Sequence, residues 1–152
     1  MLGVITSIIE SYGLIGVLVG TFLSYSVLPL PTELAVILAS GVHAAYLVFL
    51  MALLGSTLGS VLNFYIGARG KGYLLKKETP RYKWARDTFN KHGGWGILFF
   101  SWLPIVGDPL IIVAGALNMD FKKFLVYSTL AKIWYFVLLI FLGVNLMGWF
   151  GF

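Results

Sequence analysis

The stretch Gly93-Gly-Trp-Gly-Ile-Leu-Phe-Phe-Ser-Trp-Leu-Pro-Ile-Val-Gly-Asp-Pro-Leu-Ile-Ile-Val-Ala-Gly-Ala-Leu-Asn-Met119 decides the fold. It is apolar enough for lipid, yet it does not read as one straight crossing. Pro104, Gly107 and Pro109 interrupt its centre, and Asp108 would sit at mid-depth. Proline removes a backbone donor and restricts the residue before it, so a helix breaks there. Residues 93–103 and 109–119 would each be about 16 Å long as helices, against a hydrocarbon core of roughly 30 Å. The flanks agree. Lys91 and His92 precede the stretch, and Lys122 and Lys123 follow it. Basic flanks belong in the cytoplasm, so both ends should lie on one side. The expected shape is a re-entrant hairpin turning at residues 103–109. Broken backbone of this kind is tolerated in a membrane only where protein or water covers it.

Composition places the rest of the chain in the same solvent. Of 152 residues, 59% are hydrophobic and 11% charged. A soluble domain carries about 25% charge, so a water-facing surface is not available here. The absence of cysteine excludes disulfides, thiolate chemistry and Cys-based metal sites. All eleven Lys and Arg residues lie between Arg69 and Lys132, and eight of them fall within residues 69–91. An island of positive charge between apolar stretches reads as a cytoplasmic loop, residues 69–92. No motif supports nucleic-acid binding. Within the loop, residues 80–92 suit a basic helix with Tyr82, Ala85 and Phe89 on one face, a surface-anchoring pattern. Residues 1–10 lack a basic n-region and a cleavage site, and read as an interfacial helix or the start of the first apolar segment.

Residues 11–41 repeat the hairpin pattern from the opposite side. An uncharged run ends at Pro29-Leu30-Pro31; Thr32 and Glu33 follow, and a second apolar run begins. Thr32 would cap that run and Glu33 would sit in its first turn, near the positive dipole end. The turn is expected at residues 28–33. Residues 44–68 and 124–150 are each long enough to span a bilayer. The single 152-residue domain thus divides into a hairpin plus spanning helix (1–68), the basic loop (69–92), and a second hairpin plus spanning helix (93–152). Pro29 stands four residues before Glu33 as Pro104 stands four before Asp108, at an offset of 75. One spanning helix separates the halves, so the repeat would be inverted. The fold class is therefore all-α: a polytopic membrane protein with two opposed re-entrant hairpins and two main spanning helices. Paired Pro/Gly-broken segments in inverted halves point to a transporter site.

Glu33 and Asp108 are the candidate transport and proton-coupling residues. An ionised carboxylate is costly in lipid, so such groups usually face a cavity or a partner. The plainer role, capping the helix that follows each turn, is compatible with this one. Lys132, alone inside the last span, would be an internal counter-charge for Asp108 or a lipid phosphate, or would snorkel to the cytoplasm. Ser101 and Asn63 join it as candidate headgroup ligands, although Asn63 also suits a helix–helix hydrogen bond. Pro29, Pro31, Pro104, Gly107 and Pro109 are assigned to the hairpin turns. Gly55 and Gly59 form a GxxxG pair for close helix packing, within the chain or between copies. With two histidines and no clustered ligands, no metal is expected. Residues 67–72, Gly-Ala-Arg-Gly-Lys-Gly, lack P-loop spacing. No nucleophile–base pair can be built, so no enzyme activity and no cofactor are expected.

These residues carry a family resemblance. Pro29-Leu-Pro-Thr-Glu33 resembles the first hairpin tip of the DedA family, also called the VTT or SNARE-associated Golgi protein family. Residues 55–70, with Gly55, Gly59, Asn63, Gly67 and Gly70, resemble its glycine-rich helix. Ser101-Trp-Leu-Pro104-Ile-Val-Gly107-Asp108-Pro109 with Ala114-Gly115 resembles its second hairpin, in the form of the small YqaA-like branch. Phe124 through Lys132 and Tyr135 resemble its last helix. The resemblance implies two facing hairpins and movement of phospholipid or polyprenyl phosphate across the bilayer, coupled to protons in bacterial members. It also implies two arginines flanking the second hairpin's proline; Ser101 and Gly107 stand there instead, and Ser24 and Ser26 stand where an acid usually precedes the first turn.

The expected function is a lipid flippase or scramblase in a prokaryotic plasma membrane, with membrane lipids and protons as partners and homo-oligomers possible through the GxxxG face. A small-solute or ion transporter, or a non-transporting scaffold, are the alternatives. Neutralising the two acids, or filling Gly59, separates these readings.

Overall fold

A computed structural model describes residues 12–26, 33–74, 76, 79–103 and 106–150 of the chain. Among them are eight helices and no strand: α1 (Leu14–Ser24), α2 (Glu33–Val42), α3 (Ala45–Arg69), α4 (Lys71–Leu74), α5 (Pro80–His92), α6 (Gly94–Phe100), α7 (Gly107–Ala116) and α8 (Phe121–Phe150). The readings made for residues 1–10, Thr32, Pro29, Pro31 and Pro104 fall outside the described residues.

Among the described residues two helices are long and apolar enough to cross a membrane, α3 and the Phe121–Asn145 part of α8. Their outward faces are leucine, valine and aromatic side chains: Leu50, Leu54, Leu58 and Leu62 on α3, and Val126, Leu130, Val137 and Phe141 on α8, are all exposed. A soluble protein could not leave both stripes uncovered in water. The other apolar helices are short. At 1.5 Å per residue, α1, α2, α6 and α7 reach about 10–16 Å, roughly half a hydrocarbon core at most.

The short helices pack in a crossed order. α1 lies along α3 and α6 along α8, so each first arm rests on the long helix of its own half. α2 packs on α8 and α7 on α3, so each second arm rests on the long helix of the other half. Glycines set these distances. A Cβ at Gly55 would overlap the Leu18 carbonyl and the Thr21 hydroxyl, and one at Gly59 would come 2.7 Å from the Phe22 oxygen. The GxxxG pair therefore serves a contact inside the chain. Gly67 meets the Ile112 backbone and Gly115 the Phe64 backbone, which binds α7 to α3 twice.

The structure revises three expectations. The second turn is shorter than residues 103–109: Gly107 and Pro109 already belong to the first turn of α7. Proline is tolerated there because the first helical N–H groups have no intrahelical acceptor. A Cβ at Gly107 would clash with the Ser101 carbonyl, so glycine is what lets the chain fold back so tightly. The first arm, α6, is only seven residues long, because Gly93 (φ 57°, ψ −135°) starts it abruptly after α5 and Phe100 ends it. That backbone conformation is accessible almost only to glycine. Finally, helix α5 forms at residues 80–92 as expected, but its apolar face does not lie free for a membrane surface. Ala85 is fully buried, and Tyr82 and Phe89 pack with it against Ile97, Leu110, Ile111 and Phe124. The second arm then closes with Asn118 in the left-handed region (φ 56°) and Met119 N–H bonded to the Ala114 carbonyl at 3.0 Å, the Schellman arrangement.

Candidate functional site

A buried polar seam runs between the two long helices. On α3, Ser56, Ser60 and Asn63 stand at helical spacing i, i+4, i+7 and are all at most 1% exposed. On α8, Ser128, Lys132 and Tyr135 have the same spacing and are also buried. Each member of the second stripe follows its counterpart by 72 residues, the separation of Ser60 and Lys132. Such spacing puts three side chains on one face of a helix, and these two faces meet.

Lys132 lies at the centre and is fully buried. Its Nζ donates to the Ser56 carbonyl at 2.7 Å and to the Ser60 hydroxyl. The Tyr25 ring, with its centroid 5.1 Å away, faces the same nitrogen. All three directions of the amine are thus occupied by protein. It does not snorkel to the membrane surface. The carboxylate that acts on it electrostatically is Asp108.

Asp108 is held from the opposite helix. The Asn63 side chain donates to Asp108 Oδ1 at 3.2 Å and to the Tyr25 carbonyl at 2.9 Å. Both amide protons are used, so Asn63 ties α3 to α1 and to α7 together. Glu33, in the first turn of α2, accepts a hydrogen bond from the Tyr135 hydroxyl at 3.2 Å. Tyr25 lies in the field of Glu33, Asp108 and Tyr135. The two acids are therefore both close enough to act on Tyr25 electrostatically.

Ser101 is buried, and neither its hydroxyl nor that of Ser128 has a hydrogen-bond partner among the described residues. Buried hydroxyls are normally satisfied, and the Thr57 hydroxyl shares their condition. Trp102 packs edge-on against Trp134 and tilted against Tyr135, with ring centroids 5.1 and 5.4 Å apart. Of the sequence-derived candidates, the structure brings Lys132, Asn63 and Asp108 together, and sets Glu33 against Tyr135. Gly107 and Pro109 position Asp108. Tyr25, Ser56, Ser60, Ser128 and Tyr135 escaped notice as site residues. The signal for most of them was the repeated i, i+4, i+7 polar stripe in two otherwise apolar helices. Tyr25 had none, because its role depends on where α1 ends. No group of three metal-ligating side chains occurs among the described residues.

An all-helical membrane domain with short broken arms and a buried Lys–Asp–Asn cluster is the type of architecture found in membrane transporters. The VTT domain pattern matches residues 30–145, and the chain belongs to this family, the DedA family. It is 27% identical over 125 residues to the inner membrane protein YqaA of Escherichia coli, covering 81% of this chain and 85% of YqaA. It is 28% identical over 102 residues to undecaprenyl phosphate transporter A of Bacillus subtilis, covering 61% of this chain and half of that protein's length. These names describe a bacterial inner-membrane protein and a transporter. No solved structure gives a significant match.

Proposed function

We propose that this protein moves phosphate-bearing lipids across a prokaryotic plasma membrane, with the seam around Lys132 as the place where the headgroup passes. One observation carries the reading: a fully buried lysine and a carboxylate share a polar seam inside two lipid-facing helices. Ionisable groups at that depth are costly and usually mark a transport path. The name of the B. subtilis relative supports a lipid phosphate as cargo.

In this reading α1–α2 and α6–α7 are re-entrant hairpins that dip from opposite faces, and the two halves form an inverted repeat with residues 69–92 in the cytoplasm. The crossed packing of the arms supports it, because each hairpin lies against both long helices. The hairpins thin the barrier to the seam. The lipid tails stay outside, along the exposed leucine and valine stripes. An incoming phosphate competes for Lys132 with Ser56 and Ser60, and the hydroxyls of Ser101 and Ser128 serve as further donors. Lys132 supplies positive charge in a chain where Ser101 and Gly107 stand in place of the two arginines that the family resemblance implies. As Lys132 turns toward the phosphate, Asp108 loses its counter-charge and takes up a proton. Glu33, held by the Tyr135 hydroxyl, is the second candidate carboxylate of this reading.

The test is reconstitution into vesicles with a fluorescent anionic phospholipid or a polyprenyl phosphate, followed by chemical reduction of the outer leaflet. Loss of label from both leaflets in protein-containing vesicles alone supports the reading. Uptake of a soluble ion or solute with no lipid movement would replace it with a solute transporter.

A further inference from the structure

Outside the seam, one concave surface combines apolar walls with a histidine at one end, next in the chain to an exposed lysine. His92, Trp95, Gly96, Phe99 and Phe100 line a groove of about 250 Å³ along α6, where α5 ends against it. Trp95 and Phe99, one helical turn apart, are 58% and 61% exposed, and their rings stack at 6.4 Å. Trp95 also packs on Tyr127 and Phe100 on Trp84, so the walls are fixed from α8 and from α5. Gly96 forms the floor because a side chain there would press on Thr88. At the α5 end sits His92, preceded by exposed Lys91. The other end leads along α6 to Ser101 and Trp102, at the edge of the seam. A ligand matched to this shape has a single hydrocarbon chain lying along aromatic rings and an anionic group at one end. Indole and imidazole at a membrane interface, beside lysine, fit a phosphate headgroup.

We propose that this groove is a binding site for an anionic glycerophospholipid, with the phosphate at Lys91 and His92 and one acyl chain against Trp95 and Phe99. As a loading position for transport it rests on the reading above; as a binding site it stands on the groove and its charges alone.

Trp95 itself reports occupancy. The whole protein is placed in phosphatidylcholine bilayers containing chain-brominated phosphatidylglycerol or, at equal mole fraction, chain-brominated phosphatidylcholine. The Trp95 emission is isolated by difference against Trp95→Phe. Quenching by the anionic lipid should exceed that by the zwitterionic one, with a local preference of about fivefold for one engaged surface cation. Lys91→Gln with His92→Gln should abolish the preference, and Phe99→Ala should reduce Trp95 quenching by both lipids. Equal quenching by the two lipids in the unaltered protein overturns the site, as does a preference that survives the double substitution. All three side chains project outward, so these variants leave the core intact. Lipid movement measured in parallel keeps the two readings apart. Preference without movement leaves the site standing and removes the transporter, whereas movement without preference removes the site alone.

Discussion

Asn63 on α3 and Asp108 on α7 are joined side chain to side chain at 3.2 Å, although 45 residues separate them. The relationship has a counterpart. Tyr135 on α8 donates to Glu33 on α2 at 3.2 Å, across 102 residues. Each acid stands in the first turn of a short helix, and each is held by the long helix of the other half. The donors occupy equivalent places, last in the two polar stripes.

Replacing Asn63 by Leu removes both donations at once, leaving Asp108 and the Tyr25 carbonyl without their partner. Interhelical hydrogen bonds of this kind are worth about 0.6–2 kcal/mol each in membranes. We expect a lower melting temperature in detergent, read by tryptophan fluorescence, and a smaller loss for Asn63→Gln. A melting temperature equal to that of the unaltered protein would mean that Asn63 contributes nothing to holding α7.

Lys132→Met keeps the volume and removes the amine. Removing one partner of a buried charge pair leaves the other uncompensated and is destabilising, whereas replacing both is often neutral, so Lys132→Met is made together with Asp108→Asn and compared with Asp108→Asn alone. The fold of the double variant should survive, while lipid movement should fall by about tenfold or more below that of Asp108→Asn, the equivalent of one lost charge-assisted hydrogen bond of about 1.5–3 kcal/mol. Movement in a stable double variant equal to that of Asp108→Asn would reduce Lys132 to a structural role.

Neutralising both acids, Glu33→Gln with Asp108→Asn, should leave the helices assembled, since amides can still accept from Tyr135 and Asn63. Movement driven by an imposed proton gradient should disappear. If the gradient still accelerates transport in this variant, the carboxylates are not the proton carriers.

Gly59→Leu should prevent assembly, because even a Cβ there lies 2.8 Å from the Tyr25 carbonyl carbon and 2.7 Å from the Phe22 oxygen. Overpacking against backbone cannot be relieved by a rotamer change. The expected result is degraded or aggregated protein. A folded Gly59→Leu protein that only changes its oligomeric state would show that the GxxxG face works between copies.

The proposed topology has a direct test, helped by the absence of native cysteine. Cysteines introduced in place of Lys91 and Lys122 should both react with a membrane-impermeant maleimide from the cytoplasmic side only. Labelling from opposite sides would make residues 93–119 an ordinary crossing and remove the second hairpin.

The broad architecture was legible because it follows from local rules. The two long apolar runs, a break between α6 and α7 and the helix at residues 80–92 each announce themselves through periodicity, proline or charge. The acids and Lys132 stood out because charge is rare in such segments. What the chain did not announce is pairing between distant elements. Nothing local to Asn63 says that it meets Asp108, and nothing in Tyr82, Ala85 and Phe89 says that their face covers Ile111 rather than lipid. The boundary of α7 moved for a similar reason. Gly107 and Pro109 read as breakers in isolation, yet a first helical turn accepts both.

The glycine contacts also determine which part of the molecule is free to move. α1 is fastened to α3 at Gly55 and Gly59 and α7 to α3 at Gly67 and Gly115, each against backbone atoms of the neighbouring segment, whereas α2 meets α8 at Gly143 first through the Ser40 hydroxyl. Helix α6 has no such fastening: a Cβ at Gly94 would meet only the Tyr127 ring and the Met119 terminus, and one at Gly96 the Thr88 side chain first. Rings and methyl groups can slide where carbonyls cannot. The seven-residue helix beside Gly93 is thus held to its neighbours by side chains, where α1 and α7 are held to α3 by close contacts at glycines.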